Sequence, residues 1–318
     1  MKSVIRTIGF PIAALLFGCG AACGAQNSVE FIGSTPGGVL AREFLGGLPT
    51  NAECHNITWR ITLPTSPGTG RITTYGLIAQ YRVPTRENPN RSEDGPKVTS
   101  RGTWEIIKGA KSRTDAVVYR LISEKSQRSL SFVKVGENLL HLLDPNGTLM
   151  VGNGGWSYTL NRADRAEKPV DTSMAASAPD MSYKISSLAT GSNVFAVFEG
   201  RSPCHGIARE LKLPQHAGCT KVKWRVTLYQ NPETSAPTAY KVEGTLHRQS
   251  PREGTWSIVQ GAKTDPNATV YQLNPTTTEA ALWLLKADEN ILFFLNQHRE
   301  PLVGHAEFSY TLNRVARK

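Results

Sequence analysis

The sequence contains no Gly-x-Ser-x-Gly elbow, no His-Glu-x-x-His pair, no phosphate-binding loop and no dinucleotide fingerprint. Each of those motifs sets a nucleophile, a metal or a phosphate at a fixed spacing, so the enzyme classes they define are set aside and no catalytic residue is assigned. Methionine is scarce, at four residues, which leaves little thioether for a soft metal. The net charge is +10, yet Lys and Arg are spread along the chain with no dense basic run. That distribution gives a solvated basic surface and argues against a nucleic-acid stripe. No uninterrupted apolar stretch is long enough to cross a bilayer as a helix, and no segment sustains a helical period.

What the chain does contain is itself, twice. Ser157-Tyr158-Thr159-Leu160-Asn161-Arg162 returns letter for letter as Ser309-Tyr310-Thr311-Leu312-Asn313-Arg314, a shift of 152 (309 − 157). At the same shift Gly102-Thr103-Trp104 maps to Gly254-Thr255-Trp256, and Gly109-Ala110-Lys111 to Gly261-Ala262-Lys263. A repeat of this size implies two copies of one unit. Residues 29–162 form the first repeat, 163–192 an Ala-, Ser- and Pro-rich linker, and 193–318 the second repeat.

Residues 1–18 read as a leader: Lys2 and Arg6 supply charge, and Ile8 to Phe17 an apolar run too short for a membrane span. Leu16-Phe17-Gly18-Cys19 resembles the lipobox of bacterial lipoproteins, with an aliphatic residue three places before the cysteine and a small one just before it. The resemblance implies lipidation of Cys19, a tether at 19–28, and a membrane partner reached through the N-terminal lipid. Gly20 in the second mature position resembles lipoproteins sorted to the outer membrane, in the bacterial envelope and facing the periplasm. The alternative is ordinary secretion with cleavage after Ala25.

Each repeat is written in strands. Ile57-Thr58-Trp59-Arg60-Ile61-Thr62-Leu63 alternates apolar and polar residues, and Val222-Lys223-Trp224-Arg225-Val226-Thr227-Leu228 does the same in phase. That is the pattern of a strand with one buried face. Further strands are expected at 29–32, 40–45, 72–83, 102–107, 117–122, 130–135, 139–143 and 156–161, with hairpin turns at Gly136-Glu137-Asn138 and Asp288-Glu289-Asn290. The fold class is all-β: two tandem up-and-down β-barrels of about eight strands each, closed so that no edge is left open. Pro84–Lys97 is extra in the first repeat and reads as a polar loop.

Of the five cysteines, Cys204 and Cys219 enclose a strand-like run and a turn, and pair as a disulfide in an oxidising compartment. Cys54 is the counterpart of Cys219, but Gly37 stands where Cys204 would be. Cys54 is therefore a buried thiol, or else reaches Cys23 in the tether.

Phe198-Glu199-Gly200-Arg201-Ser202-Pro203-Cys204-His205-Gly206-Ile207 resembles the opening of the NlpE-type copper-resistance lipoprotein N-terminal domain, and Gly254-Thr255-Trp256 resembles that family's mid-domain Gly-Thr-Trp. Phe31-Ile32-Gly33-Ser34-Thr35-Pro36 is the first repeat's version, without the cysteine. The resemblance implies a lipocalin-like barrel anchored in the envelope, with roles in metal tolerance or in signalling surface and envelope stress. An envelope sensor protein or an envelope polymer is the partner such a role needs. The family's Cys-x-x-Cys is broken here, since His205, Gly206 and Ile207 follow Cys204. No cofactor is expected; a Cu(I) site at Cys204 and His205 is the one metal alternative, against a disulfide beside a surface histidine.

Other matched residues carry paired readings. Ala41-Arg42-Glu43 and Ala208-Arg209-Glu210 form ion pairs on a strand's outer face or recognise a ligand. Trp59, Trp224, Trp104 and Trp256 fill the barrels or line a pocket for an apolar ligand. His298 and His305 flank a turn where the first repeat has Asn146 and Asn153. Tyr158, Tyr310, Arg162 and Arg314 close the base of each barrel. Besides a binding or sensing lipoprotein, the sequence leaves open a periplasmic carrier with a small apolar ligand in a barrel lumen, and an envelope interaction module.

Overall fold

The computed structural model describes residues 28–64, 73–111, 113–168, 193–212, 219–245, 251–275 and 280–315. Cys19, Cys23, the leader, the tether up to residue 27 and most of the linker lie outside them. The first repeat contributes β1 (Ser28–Pro36), α1 (Val39–Leu45), β2 (Asn56–Pro64), β3 (Thr74–Pro84), β4 (Ser92–Ala110), β5 (Arg113–Ser123), β6 (Ser129–Val135), β7 (Leu139–Leu143) and β8 (Thr159–Arg162). The second contributes β9 (Asn193–Ser202), α2 (His205–Glu210), β10 (Val222–Gln230), β11 (Pro237–Gly244), β12 (Arg252–Ala262), β13 (Asp265–Pro275), β14 (Leu282–Lys286), β15 (Ile291–Leu295) and β16 (Thr311–Arg314).

Each set of eight strands closes into a barrel of neighbouring antiparallel pairs, β1 meeting β8 and β9 meeting β16. The alternation in β2 does what it predicts: Ile57, Trp59, Ile61 and Leu63 point into the core while Arg60 is exposed. Side chains fill both interiors. Trp59, Tyr81, Phe44 and Phe132 are among the largest fully buried groups of the first barrel, and Tyr240, Tyr310, Phe198 and Phe294 of the second. Trp59 and Trp224 each donate their ring N–H to a hydroxyl at the end of the first strand, Thr35 and Ser202 respectively, both at 2.8 Å.

Two expectations need correction. Residues 40–45 are helical, belonging to α1, just as Ala208-Arg209-Glu210 belong to α2 and not to a strand, and Arg42 lies buried among Ala41, Phe44 and Leu45. Its guanidinium donates to the carbonyls of Pro49 (3.0 Å) and Ala52 (2.6 Å), so it braces the following loop and makes no pair with Glu43, which instead binds Arg128 at 2.7 Å. The added segment at 84–97 is a loop only in part. From Ser92 onward it is strand, paired with β3 at Arg82↔Asp94 and Pro84↔Ser92. Hydrogen bonding along the neighbour outweighs the poor strand propensity of Asp94, Gly95 and Pro96.

The barrels rest against each other, and β7 and β15 mark where. All five residues of each are buried, Leu139–Leu143 and Ile291–Leu295. A barrel strand facing water would bury only alternate positions. Here Leu140 and Leu142 face their own barrel, whereas Leu139, Leu143, Ile291 and Phe293 join a third apolar cluster shared by both repeats.

Candidate functional site

The cysteine corner is built at the end of β9. Pro203 stops the strand, α2 starts at His205, and Cys204 bonds to Cys219 with Cα atoms 5.9 Å apart. With both sulfurs joined, Cys204 offers no thiolate, which is the form that ligates soft metals. The Cu(I) alternative at Cys204 and His205 therefore does not hold in this oxidised chain. Among the described residues no cluster of three or more His, Cys, Asp or Glu side chains could hold a metal. His298 is exposed, whereas His305 is buried and its Nδ1 accepts the N–H of Glu307 at 3.1 Å. Burial holds the His305 pKa below its ordinary value.

In the first barrel the same corner is reduced. A Cβ on Gly37 would lie 2.4 Å from Cys54 Sγ, so the thiol occupies the space a partner cysteine would need. Cys54 is free and partly buried, and burial pushes its thiol pKa up against the opposing pull of Arg42. A thiol held protonated in this way is a poor nucleophile.

Beyond β8 the chain makes a 3-10 turn at Ala163–Arg165 and then crosses to the other barrel. Glu167 is the point of attachment. Its Oε1 accepts the backbone N–H of His205 (3.0 Å) and of Gly206 (3.1 Å), and its Oε2 accepts the Tyr310 hydroxyl at 2.5 Å. Burial and the Glu167 charge together raise Tyr310 well above the ordinary phenol value, so it stays the donor. The start of the linker is thus a docked strut. The Tyr310 hydroxyl is held by this linker residue, beyond the end of the first barrel. Arg162 instead holds Asp164 at 2.7 Å, and Arg314 reaches the Glu289 carbonyl at 3.2 Å.

The duplicated hexapeptides face each other across this junction. Tyr158 and Leu160 point inward, as do Tyr310 and Leu312. The intervening polar residues meet their own counterparts: Ser157 Oγ lies 2.6 Å from Ser309 Oγ, and Thr159 Oγ1 3.0 Å from Thr311 Oγ1. The Asn161 side chain accepts the N–H of Gly304 (2.8 Å) and donates to His305 O (3.0 Å), and Asn313 returns the contact by accepting the N–H of Gly152 at 2.7 Å. Like meeting like is the mark of a two-fold, self-complementary interface, here made within one chain.

One hydrogen-bonded chain threads it. Ser157 bonds Ser309, Ser309 bonds Thr311 at 3.0 Å, Thr311 bonds Thr159, and Thr159 meets His141 Nδ1 at 2.9 Å. His141 Nε2 lies 2.9 Å from Met150 O, which can only accept. Nε2 therefore carries the proton, Nδ1 accepts from Thr159, and every hydroxyl along the row donates toward the histidine. The Thr159 N–H closes the far end on Ser157 Oγ at 3.3 Å. Full burial lowers the His141 pKa to about 4, so the ring is neutral at ordinary pH.

Compared with known proteins, the chain matches no family model, no curated protein and no solved structure. Of the residues singled out from sequence, the structure joins Cys204 to Cys219 and places the four paired tryptophans in the barrel cores. Glu167 and His141 were not singled out, nor was the contact between the two hexapeptides. The signal for His141 and the junction was present in Leu139-Leu140-His141-Leu142-Leu143, a run without apolar/polar alternation, which marks a strand buried on both faces.

Proposed function

We propose that the chain is a non-enzymatic lipoprotein of the bacterial envelope, tethered to the outer membrane through Cys19, whose joined barrels form a binding or sensing module facing the periplasm. The observation that carries the reading is the Cys204–Cys219 disulfide, which suits an oxidising compartment and sits in the segment that resembles the NlpE-type opening. By that resemblance its role lies in metal tolerance or in reporting envelope or surface stress to a sensor protein. Since the disulfide takes Cys204 away from metal, stress reporting through the outer surface is the better-supported branch. Side chains packed through both barrels favour a surface that recognises a partner over a carrier with its ligand in the lumen.

The test is Cys19→Ser expressed in a bacterial envelope. It should lose palmitate labelling and pass from the membrane to the soluble fraction. Unchanged membrane association would overturn the tether, and a fully reduced Cys204 in the exported protein would overturn the compartment.

A further inference from the structure

The junction between the barrels does not close along its whole length. Where the hairpin turns of both repeats approach one another, a cleft of about 620 Å3 opens between them. Cavities of this size at junctions between domains are where small molecules are commonly held. Its floor continues the apolar interface: Ala116, Val133 and Leu149 come from the first barrel, Leu285 and Ala287 from the second. The alanines leave the space that larger residues would fill.

The charges around the cleft are matched, with one exception. Arg113 Nη1 lies 3.0 Å from Asp265 Oδ2, a pair that spans the two repeats. Lys134 is held by Glu137 and Lys286 by Glu289, each three residues further on. Asp288 stands apart. Its Oδ1 accepts the N–H groups of Asn290 (2.7 Å) and Ile291 (2.9 Å), and among the described residues it makes no ion pair. Burial raises its pKa above the ordinary carboxylate value, an effect the two N–H bonds and the Lys286 charge oppose and the Glu289 charge adds to. The residue at the same position of the first repeat is Gly136, so the acid belongs to one side of the cleft only. A carboxylate partly withdrawn from water, whose neighbouring Lys286 is held by Glu289, gains from a bound ammonium what it loses in hydration.

We propose that the inter-barrel cleft binds a small, mostly apolar molecule carrying one ammonium group, its apolar body on Ala116, Val133, Leu149, Leu285 and Ala287 and its ammonium on Asp288. The site exists only where the two repeats meet, so it gives the duplication a use that a single barrel lacks. It does not depend on the envelope reading.

The probes are 2-(1-naphthyl)ethylamine, the neutral 2-(1-naphthyl)ethanol and the anionic 1-naphthaleneacetate, titrated calorimetrically into the full chain at neutral pH. The amine should bind saturably at one site, roughly tenfold tighter than the alcohol, with the anion weakest. Asp288→Asn keeps the oxygen that accepts the turn N–H groups, so it should fold normally. It should bring the amine down to the level of the alcohol and leave the alcohol unchanged. Ala287→Trp, checked for native circular dichroism, should remove binding of both. Equal binding of all three probes, an amine preference that survives Asp288→Asn, or no saturable amine binding in the millimolar range would each overturn the proposal.

Discussion

His141 and Phe293 occupy the same position in their two repeats and meet edge to face across the junction, ring centroids 5.7 Å apart. One partner is a titratable ring bonded to the hydroxyl row, and the other has no polar atom in its side chain. The asymmetry makes the junction sensitive to acid. With the folded pKa near 4 and the ordinary value 6.5, the unfolded chain binds the proton more readily between those limits. Stability from a neutral His141 is therefore complete above about pH 6.5 and falls away as pH drops toward 4, by roughly 3 kcal/mol in all. His305 is lowered too and adds to the slope in the same direction. The measurement is thus a difference: urea unfolding from pH 7 to pH 4, wild type against His141→Phe. The variant should lose most of the extra slope, and an unchanged slope would show that His141 does not titrate as placed.

The hydroxyl row predicts unequal costs for equal-looking changes. Ser157 lies at one end and Ser309 in the middle, bonded both to Ser157 and to Thr311. Ser309→Ala leaves two buried hydroxyls short of a partner, and should cost about 2 kcal/mol. Ser157→Ala strands the Ser309 hydroxyl and gives up only the longer 3.3 Å bond from the Thr159 N–H, so it should cost somewhat less, about 1.5 kcal/mol. Together they should cost little more than Ser309→Ala alone, a coupling on the order of 1 kcal/mol in a double-mutant cycle. Strict additivity in urea denaturation would mean that the row does not act as a unit.

Why some of this was legible and some was not follows from periodicity. A two-residue alternation shows which face of a strand is buried, and β2 and β10 follow it. It does not show what covers the other face. Ser157, Thr159 and Asn161 have the polar spacing of a solvent face, yet they are buried, the first two against their own duplicates and Asn161 against Gly304 and His305 of the other repeat. Six identical residues in two repeats pointed to the importance of this strand without revealing that the copies touch. The helix α1, at seven residues, is too short to impose its own period, so 40–45 passed for a strand. Glu167 sits in a stretch whose composition is that of a linker, and only its three donors, brought from 38 to 143 residues away, give it a role.

The two cysteine corners should respond differently to reduction. The Cys204–Cys219 link closes a span of 15 residues, which in chain-entropy terms stabilises the fold by about 3 kcal/mol. Dithiothreitol should lower the wild-type unfolding midpoint by an amount equal to that of the Cys204→Ala/Cys219→Ala variant, and should have no further effect on the variant. Cys54→Ala should respond to dithiothreitol as the wild type does. A midpoint in Cys54→Ala that no longer responds would show that Cys54, and not the second barrel's pair, governs the redox sensitivity.

Glu167 ties the chain leaving the first barrel to the floor of the second, and its removal should loosen that tie in a way the conservative change does not. Glu167→Ala strands the His205 and Gly206 N–H groups and the buried Tyr310 hydroxyl, at a cost of roughly 2–3 kcal/mol. Glu167→Gln keeps an oxygen for the two N–H groups and an amide that Tyr310 can accept from, so the loss should be about 1 kcal/mol or less. Tyr310→Phe removes one of the stranded groups and should therefore cost less in the Glu167→Ala background than in the wild type. The readouts are urea midpoints and hydrogen exchange at Gly206, whose amide should exchange faster once its acceptor is gone. If Glu167→Ala unfolds at the wild-type midpoint with Gly206 still protected, the carboxylate is not the strut, and the barrels are held by the hydroxyl row and the apolar cluster alone.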